Sequence, residues 1–496
     1  MKQDRPVLLW FRQDLRLSDH PALQAAIDQA VAQGGPVIAV YLWDQNQPDG
    51  SGWAMGSASR WWLHHSLESL GRDLEKRGGR LILRQGDPGA QLMELVAQSG
   101  ATALHATRMI EPYARALDHQ LAKSLPVPLI LHDGAFLHPP GSIRTQQGGG
   151  YKVFSQFWKA VLKAPEPDAP LPAPRSGVFA PPSDGLSSLD LKDLSLLPQV
   201  DWAAGLSQRW LHSYGIGEDA AAARLDDFLD DAVANYKNGR DFPAEAFTSS
   251  LSPHLHFGEI SPRQIWHRAQ MACARADTDR AGSVEKGVWA FLREVGWRDF
   301  AGHLLAMIPD LPDQPMRPQF QSFPWGENED HLRAWQRGQT GYPIVDAGMR
   351  ELWHTGFMHN RVRMITASFL IKHLMIDWRQ GERWFWDTLV DADLANNSMG
   401  WQWVAGSGPD ASPYFRIFNP ITQGQRFDPE GHYVRRYVPE LADLPAEHIH
   451  APWEAPPMIL QAAGVSLGQS YPHPMIDHRK ARARALAGYE KVKTGL

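Results

Sequence analysis

Val7-Leu8-Leu9-Trp10-Phe11 is a short apolar run directly behind the polar start Met1-Lys2-Gln3-Asp4-Arg5-Pro6. It reads as a first β-strand rather than as a signal sequence. Similar runs recur at Pro36–Trp43, Arg80–Arg84, Ala101–Ala106 and Pro128–His132. Between them, Ser59–Arg77 and Pro88–Gln98 repeat apolar residues at three- and four-residue spacing, as amphipathic helices do. Strands alternating with helices predict an N-terminal doubly wound α/β domain on a parallel sheet. No GxGxxG turn and no GxxxxGK[ST] loop occurs, so neither a dinucleotide site nor a P-loop is supported.

Seven prolines, Pro165, Pro167, Pro170, Pro172, Pro174, Pro181 and Pro182, crowd Ala164–Ser187 and rule out a regular helix or a central strand there. This is a connector. Beyond about Leu206 the pattern turns helical, at Glu218–Lys237, Ser261–Ala272, Val284–Leu305, Asp346–Leu352 and Arg361–His373, with a basic last helix at Asp477–Lys493. The expected organisation is therefore an α/β domain at 1–135, a connector at 136–205 and an all-α domain at 206–496. A chain of 496 residues exceeds what one core usually supports, which also favours two domains.

With 43% apolar and 21% charged residues and no run near the ~20 apolar residues of a membrane span, a soluble protein is expected. The single cysteine, Cys273, excludes an internal disulfide framework and a four-cysteine cluster supplied by this chain. A reducing cytoplasm fits. The formal charge of −6 speaks against indiscriminate binding to polyanions, but a local arginine surface can bind phosphates on an acidic molecule. Eleven of the twenty tryptophans fall between Trp266 and Trp403, so large flat rings are concentrated in one region.

Several clusters could carry chemistry. Thr248-Ser249-Ser250-Leu251-Ser252-Pro253 gathers hydroxyls ahead of a helix-like segment and could receive a phosphate, or could be a simple serine N-cap. Asp391-Ala392-Asp393, with Asn396 and Asn397, could bind a ribose or form a polar turn, and it offers too few oxygens for a hard cation. His254 and His256 lack partners for a metal, and no metal site is expected. Glu294, Trp297 and Arg298 share one helix face, as do members of the group Asn360, Arg361, Arg363 and Met364. Such clusters face solvent or line a polar cavity. Neighbouring residues on a helix point about 100° apart, so in Trp401-Gln402-Trp403 one of the two indoles is expected to point away from the core.

These residues, in this order, resemble the DNA photolyase and cryptochrome family over nearly the whole chain. Leu9-Trp10-Phe11-Arg12-Gln13-Asp14-Leu15-Arg16-Leu17 looks like the family's opening strand and turn. Gly341-Tyr342-Pro343-Ile344-Val345-Asp346-Ala347, Met358-His359-Asn360-Arg361-Val362-Arg363-Met364 and Pro413-Tyr414-Phe415-Arg416-Ile417-Phe418-Asn419-Pro420 are longer and more specific. Bacterial cyclobutane pyrimidine dimer photolyases of class I or class III resemble the chain most.

The resemblance implies an antenna domain of α/β type, a helical domain holding FAD, and light-driven electron transfer from reduced FAD to a dimer flipped out of DNA. By position, Tyr236 and Thr248, Ser249, Ser250, Leu251 and Ser252 would hold the phosphates and ribityl chain. Asp391, Ala392 and Asp393 would meet the sugar-alcohol and adenosine side, Arg363 would pair with a carboxylate beside the ring, and Asn397 would meet flavin N5. Phe291 stands where relatives often carry tryptophan. Trp297 and Trp403 would border the lesion, Met364 would pack on it, and Glu294 would hydrogen-bond a base edge. Arg240, Arg298, Arg361 and Arg416 would contact DNA.

Trp401, Trp378 and Trp325 are expected to relay electrons from the surface to the flavin. Where photolyases for the (6-4) product place histidines, this chain has Asn360 and Met364, which favours the cyclobutane dimer. The class I folate pattern is incomplete, because the Asn-Glu pair near Glu111 is absent and Leu311 replaces a lysine; methenyltetrahydrofolate held in another way is the expected antenna. A monomer is expected. The competing reading is a cryptochrome, a light receptor with the same fold and flavin.

Overall fold

The computed structural model describes residues 5–45, 53–181, 185–410 and 415–494. Residues 1–4, Pro182, and Pro413 and Tyr414 of the longest motif lie outside the described residues.

Five strands form one parallel sheet: β1 (Val7–Phe11), β2 (Val37–Trp43), β3 (Leu81–Gln85), β4 (Leu104–Thr107) and β5 (Leu129–His132). Their order is β3-β2-β1-β4-β5, so the winding reverses between β1 and β4. Leu8 pairs with Ile38 on one side and with Leu104 on the other. Both neighbours of β1 are strands and all five of its residues are buried, which is why it reads as an unbroken apolar run.

The crossovers are α1 (Pro21–Gln33), α2 (Ser57–Glu75), α3 (Pro88–Ser99) and α4 (Pro112–Ser124). Three of them begin on proline, whose missing N–H costs nothing there. Side-chain caps fix two starts, Asp87 accepting the Ala90 N–H at 2.7 Å and His20 the Leu23 N–H at 3.1 Å. Leu92, Leu95 and Leu121 pack with Leu8, Trp10, Val40 and Leu42 in the core of the sheet.

The chain divides into two compact units that interleave in sequence. The first holds Met1–Ala234, Ser249–Pro309 and Val390–Asp393; the second holds Asn235–Thr248, Asp310–Leu389 and Leu394–Leu496. Within the first unit, the turn after β1 ties sheet, connector and helices together. Asp19 is fully buried with φ at +48°, and its carboxylate takes the Leu171 N–H, the Ser261 hydroxyl and the Arg263 guanidinium. Arg16 donates to the Gly258 carbonyl at 2.8 Å, and Glu218 accepts the Leu17 and Ser18 N–H groups at 2.6 and 2.9 Å. The proline-rich connector is thus tied to this turn at Leu171, whose N–H goes to the Asp19 carboxylate and whose carbonyl accepts the Asp19 N–H at 2.8 Å.

Two helices expected to be continuous are not. Glu218–Lys237 is interrupted by a wide turn at Phe228–Ala232, and Arg361–His373 passes into another at Phe369–His373. All of Phe369, Leu370, Ile371, Lys372 and His373 are buried, so this turn is enclosed on every side rather than along one stripe.

Candidate functional site

In the first unit, the hydroxyl loop leads into a short helix, Ser252–His256. Ser250 is buried in the left-handed region at φ +52°, a conformation that costs a non-glycine residue about 1 kcal/mol or more. The loop holds that shape with the Ser249 carbonyl accepting from Arg224 Nε at 2.8 Å. Ser252 donates its hydroxyl to Asp391 Oδ2 at 2.6 Å, and His256 Nδ1 lies 3.9 Å from Asp393 Oδ2. Serine loop and Asp pair, 139 residues apart, therefore form one hydroxyl- and carboxylate-rich wall. Such a wall suits a polyol.

The long helix Thr278–Met307 carries Phe291, Glu294, Trp297 and Arg298 at helical spacing. Phe291 is buried against Phe228 at 4.7 Å between ring centroids. Trp297 is half-buried and stacks at 3.7 Å, nearly parallel, on Phe154 of α5 (Phe154–Val161). Arg298 donates to the Ala135 and Leu255 carbonyls at 2.7 and 3.4 Å and lies over the Phe136 ring. At the carboxyl ends of β1 and β4, where open α/β sheets bind ligands, a cavity of about 30 Å³ is lined by Arg12, Thr107, Glu111, His256, Arg298 and Asp393. Burial, then the nearby Asp393 charge, pushes the Glu111 carboxyl up. That volume holds about one water.

The second unit holds the tryptophans. Trp401 is buried edge-on to Phe385 at 5.0 Å and to Trp335 at 6.3 Å; a Cβ at Gly381 would run into its indole, so that position needs glycine. Trp378 is buried beneath the Arg379 guanidinium, and Trp325 is partly exposed against Phe323 at 4.3 Å. Gln402 explains the paired indoles. Fully buried, its amide accepts from the Met316 N–H at 2.7 Å and donates to the Leu311 and Gln314 carbonyls at 2.6 and 2.8 Å, leaving Trp401 inside and Trp403 half-exposed. Asn397 donates its amide to the Glu382 carbonyl at 3.0 Å. The Glu382 side chain is wholly buried, and that burial raises its carboxyl well above the usual range.

Also in this unit, His359 caps the helix Asn360–Ser368 by accepting the Arg361 N–H at 3.2 Å. Asn360 is exposed, Met364 is half-buried with its sulfur 3.9 Å from Arg361 Nη1, and Arg363 donates to the Met358 carbonyl at 2.7 Å. Arg240 lies 5.6 Å from the centroid of the Tyr236 ring. Arg361 and Arg416 line a cleft of about 410 Å³ together with Arg426, Gln423 and Asp241. Arg426 and Gln423 were not legible as site residues from the sequence, because both sit on the short helix Pro420–Phe427, which the sequence reading does not single out. Lys372, buried on the wide turn, donates to the Arg416 carbonyl.

Comparison with known proteins matches two family descriptions, DNA photolyase over residues 7–175 and FAD binding domain of DNA photolyase over residues 291–491. A deoxyribodipyrimidine photo-lyase of Agrobacterium fabrum is 48% identical, covering 98% of each chain. The chain belongs to the DNA photolyase and cryptochrome family. Within that family, Cryptochrome-1 of Arabidopsis thaliana is 37% identical over 96% of this chain and 69% of its own length. The crystal structure of a bacterial class III photolyase from Agrobacterium tumefaciens superposes with a TM-score of 0.91 at 48% identity, covering 99% of this chain and 98% of that one. The fold is that of the family: a five-stranded parallel α/β domain followed by a helical FAD-binding domain.

Proposed function

We propose that this chain is a deoxyribodipyrimidine photo-lyase that splits cyclobutane pyrimidine dimers in DNA under blue light, and that it is of class III. Residues 1–135 serve as the antenna-binding domain, 136–205 as connector and 206–496 as the FAD- and DNA-binding region. The carrying observation is the helix Asn360–Ser368, which puts Arg361 into the arginine-lined cleft and Met364 against the same guanidinium. One helix thereby offers a phosphate contact and an apolar lesion contact. A light receptor of the cryptochrome kind shares the fold but has no need of that pairing.

FAD, when bound, supplies the light-driven electron that opens the cyclobutane ring. The protein binds and orients. Tyr236, the stretch Thr248 to Ser252, Phe291, Arg363 and the segment Asp391 to Asp393 hold the cofactor, with Ser252 and Asp391 already joined by a hydrogen bond. Asn397, steadied by the Glu382 carbonyl, presents an amide that donates a hydrogen bond and has no acidic proton to release. Trp297 and Trp403 border the extruded dimer, and Glu294 bonds a base edge. Phe154 backs the Trp297 indole and keeps that wall flat.

Arg240, Arg298, Arg361 and Arg416 contact the DNA, mostly through phosphates that position the lesion without reading sequence. Trp401, Trp378 and Trp325 carry electrons inward from the surface, the first two being buried and Trp325 partly exposed. A folate of the methenyltetrahydrofolate type is the proposed antenna. A monomer is proposed, and the lone Cys273 suits the cytoplasm. No helix among the described residues is long and apolar enough to cross a membrane.

The test is an oligonucleotide carrying one defined dimer, incubated with chemically reduced holoenzyme in light and in darkness. Restored pyrimidines in the illuminated arm alone support the reading. No restoration by protein shown to contain reduced FAD removes it.

A further inference from the structure

The cleft of the second unit carries one more assignment, and it rests on the DNA-repair reading above. Arg361 and Arg426 pack on the same ring, their guanidinium carbons 4.4 and 5.1 Å from the Phe427 centroid. Arg416 completes the basic wall, and Gln423 adds an amide. Against these three cations the wall presents one carboxylate among the described residues, Asp241, whose Oδ1 is 2.9 Å from Arg361 Nη2. Two positive charges are left without an anion on the wall, and the ring and amide leave room between them for a chain that carries one negative charge per unit. That is the chemistry of a phosphodiester backbone.

Arg361 is already committed. Its guanidinium stacks on Phe427, touches the Met364 sulfur and is paired with Asp241, so it is ordered before any DNA arrives. A phosphate that takes the arginine fork from Asp241 finds the donor in place but must displace a carboxylate first. We propose that Asp241 is an internal counter-anion that a DNA phosphate replaces, and that Arg426 with Gln423 receives the adjoining phosphate. The displacement costs the same with intact and with damaged DNA, so Asp241 lowers the affinity for both and leaves their ratio unchanged. Intact duplex, which gives phosphate contacts alone, is thereby held weakly, while damaged DNA adds the contacts of the flipped dimer.

The experiment is fluorescence anisotropy of FAD-loaded enzyme with an undamaged duplex and with the same duplex bearing one dimer, over a range of salt. Asp241→Asn should bind the undamaged duplex roughly two- to fivefold tighter, the worth of a partly exposed ion pair. Its plot of log affinity against log salt should steepen by about one counterion. Arg426→Gln, a change at an exposed side chain, should bind more weakly with a slope shallower by about one. Asp241→Asn with unchanged or lower affinity for the undamaged duplex overturns the counter-anion, and if that variant does not fold, Arg426→Gln with parental affinity and slope overturns the assignment. Light-dependent repair by the parent is measured in the same preparations. Absence of repair there would strike the enzymatic reading, whereas repair with unaltered variant affinities strikes this assignment alone.

Discussion

Lys372 is an ammonium placed out of reach of water. Only 3% exposed, it donates to the Arg416 carbonyl and sits 4.1 Å from the Phe415 centroid, and burial, then the Arg416 charge, pushes its pKa down to about 7. Between pH 7 and about 10.5 the unfolded chain keeps this proton while the folded one releases it, so stability should rise with pH across that window. Lys372→Met should remove that part of the rise, seen as flatter thermal midpoints from pH 7 to 10; a parental profile would show that Lys372 does not titrate as its burial requires. At the cofactor wall, Asp391→Ala together with Asp393→Ala deletes the acceptor of the Ser252 hydroxyl and the partner of His256. FAD should no longer copurify, as flavin absorbance per mole of protein reports, and stoichiometric FAD would remove this wall from the site. These residue types were visible in the sequence, but their meeting was not: Ser252 and Asp391 are 139 residues apart, and no local spacing encodes such a contact.

Four strands were legible to within a residue at each end, because a strand covered on both faces must be apolar throughout and β1 is buried at every position, whereas β4 was expected from Ala101 and begins at Leu104. Helices were less so. The wide turns at Phe228–Ala232 and Phe369–His373 add a residue without altering composition, and the short helix Pro420–Phe427 that brings Gln423 and Arg426 to the cleft is two turns long with little room for periodicity. Trp378–Thr388 and Leu394–Ala405 show what element packing adds: the first supplies Trp378 and Gly381, the second supplies Trp401 lying against that glycine. Indoles are oxidised more readily than phenyl rings, so Trp378→Phe should slow light-driven reduction of oxidised FAD while chemically reduced enzyme still repairs. The rate of flavin bleaching under blue light with an external reductant measures this, and a parental rate would mean that electrons take another path.

At the scale of the whole molecule, net charge and local charge point in opposite directions. The chain carries −6, yet three arginines converge on one cleft whose described lining holds a single carboxylate, so a local basic surface exists on an acidic molecule. The resemblance read from motifs extended to the fold because the motifs lie where the turn after β1 and the helix Asn360–Ser368 are built, and both depend on exact residues: Asp19 with its three partners, His359 with its cap. Substrate choice depends on that same helix. The decisive measurement is a mixture of two duplexes, one with a cyclobutane dimer and one with a (6-4) product, illuminated with fully reduced holoenzyme and resolved by chromatography. With Asn360 and Met364 in place of proton-exchanging groups, the cyclobutane duplex should be restored and the (6-4) duplex left intact; restoration of the (6-4) duplex, or of neither, would contradict the account.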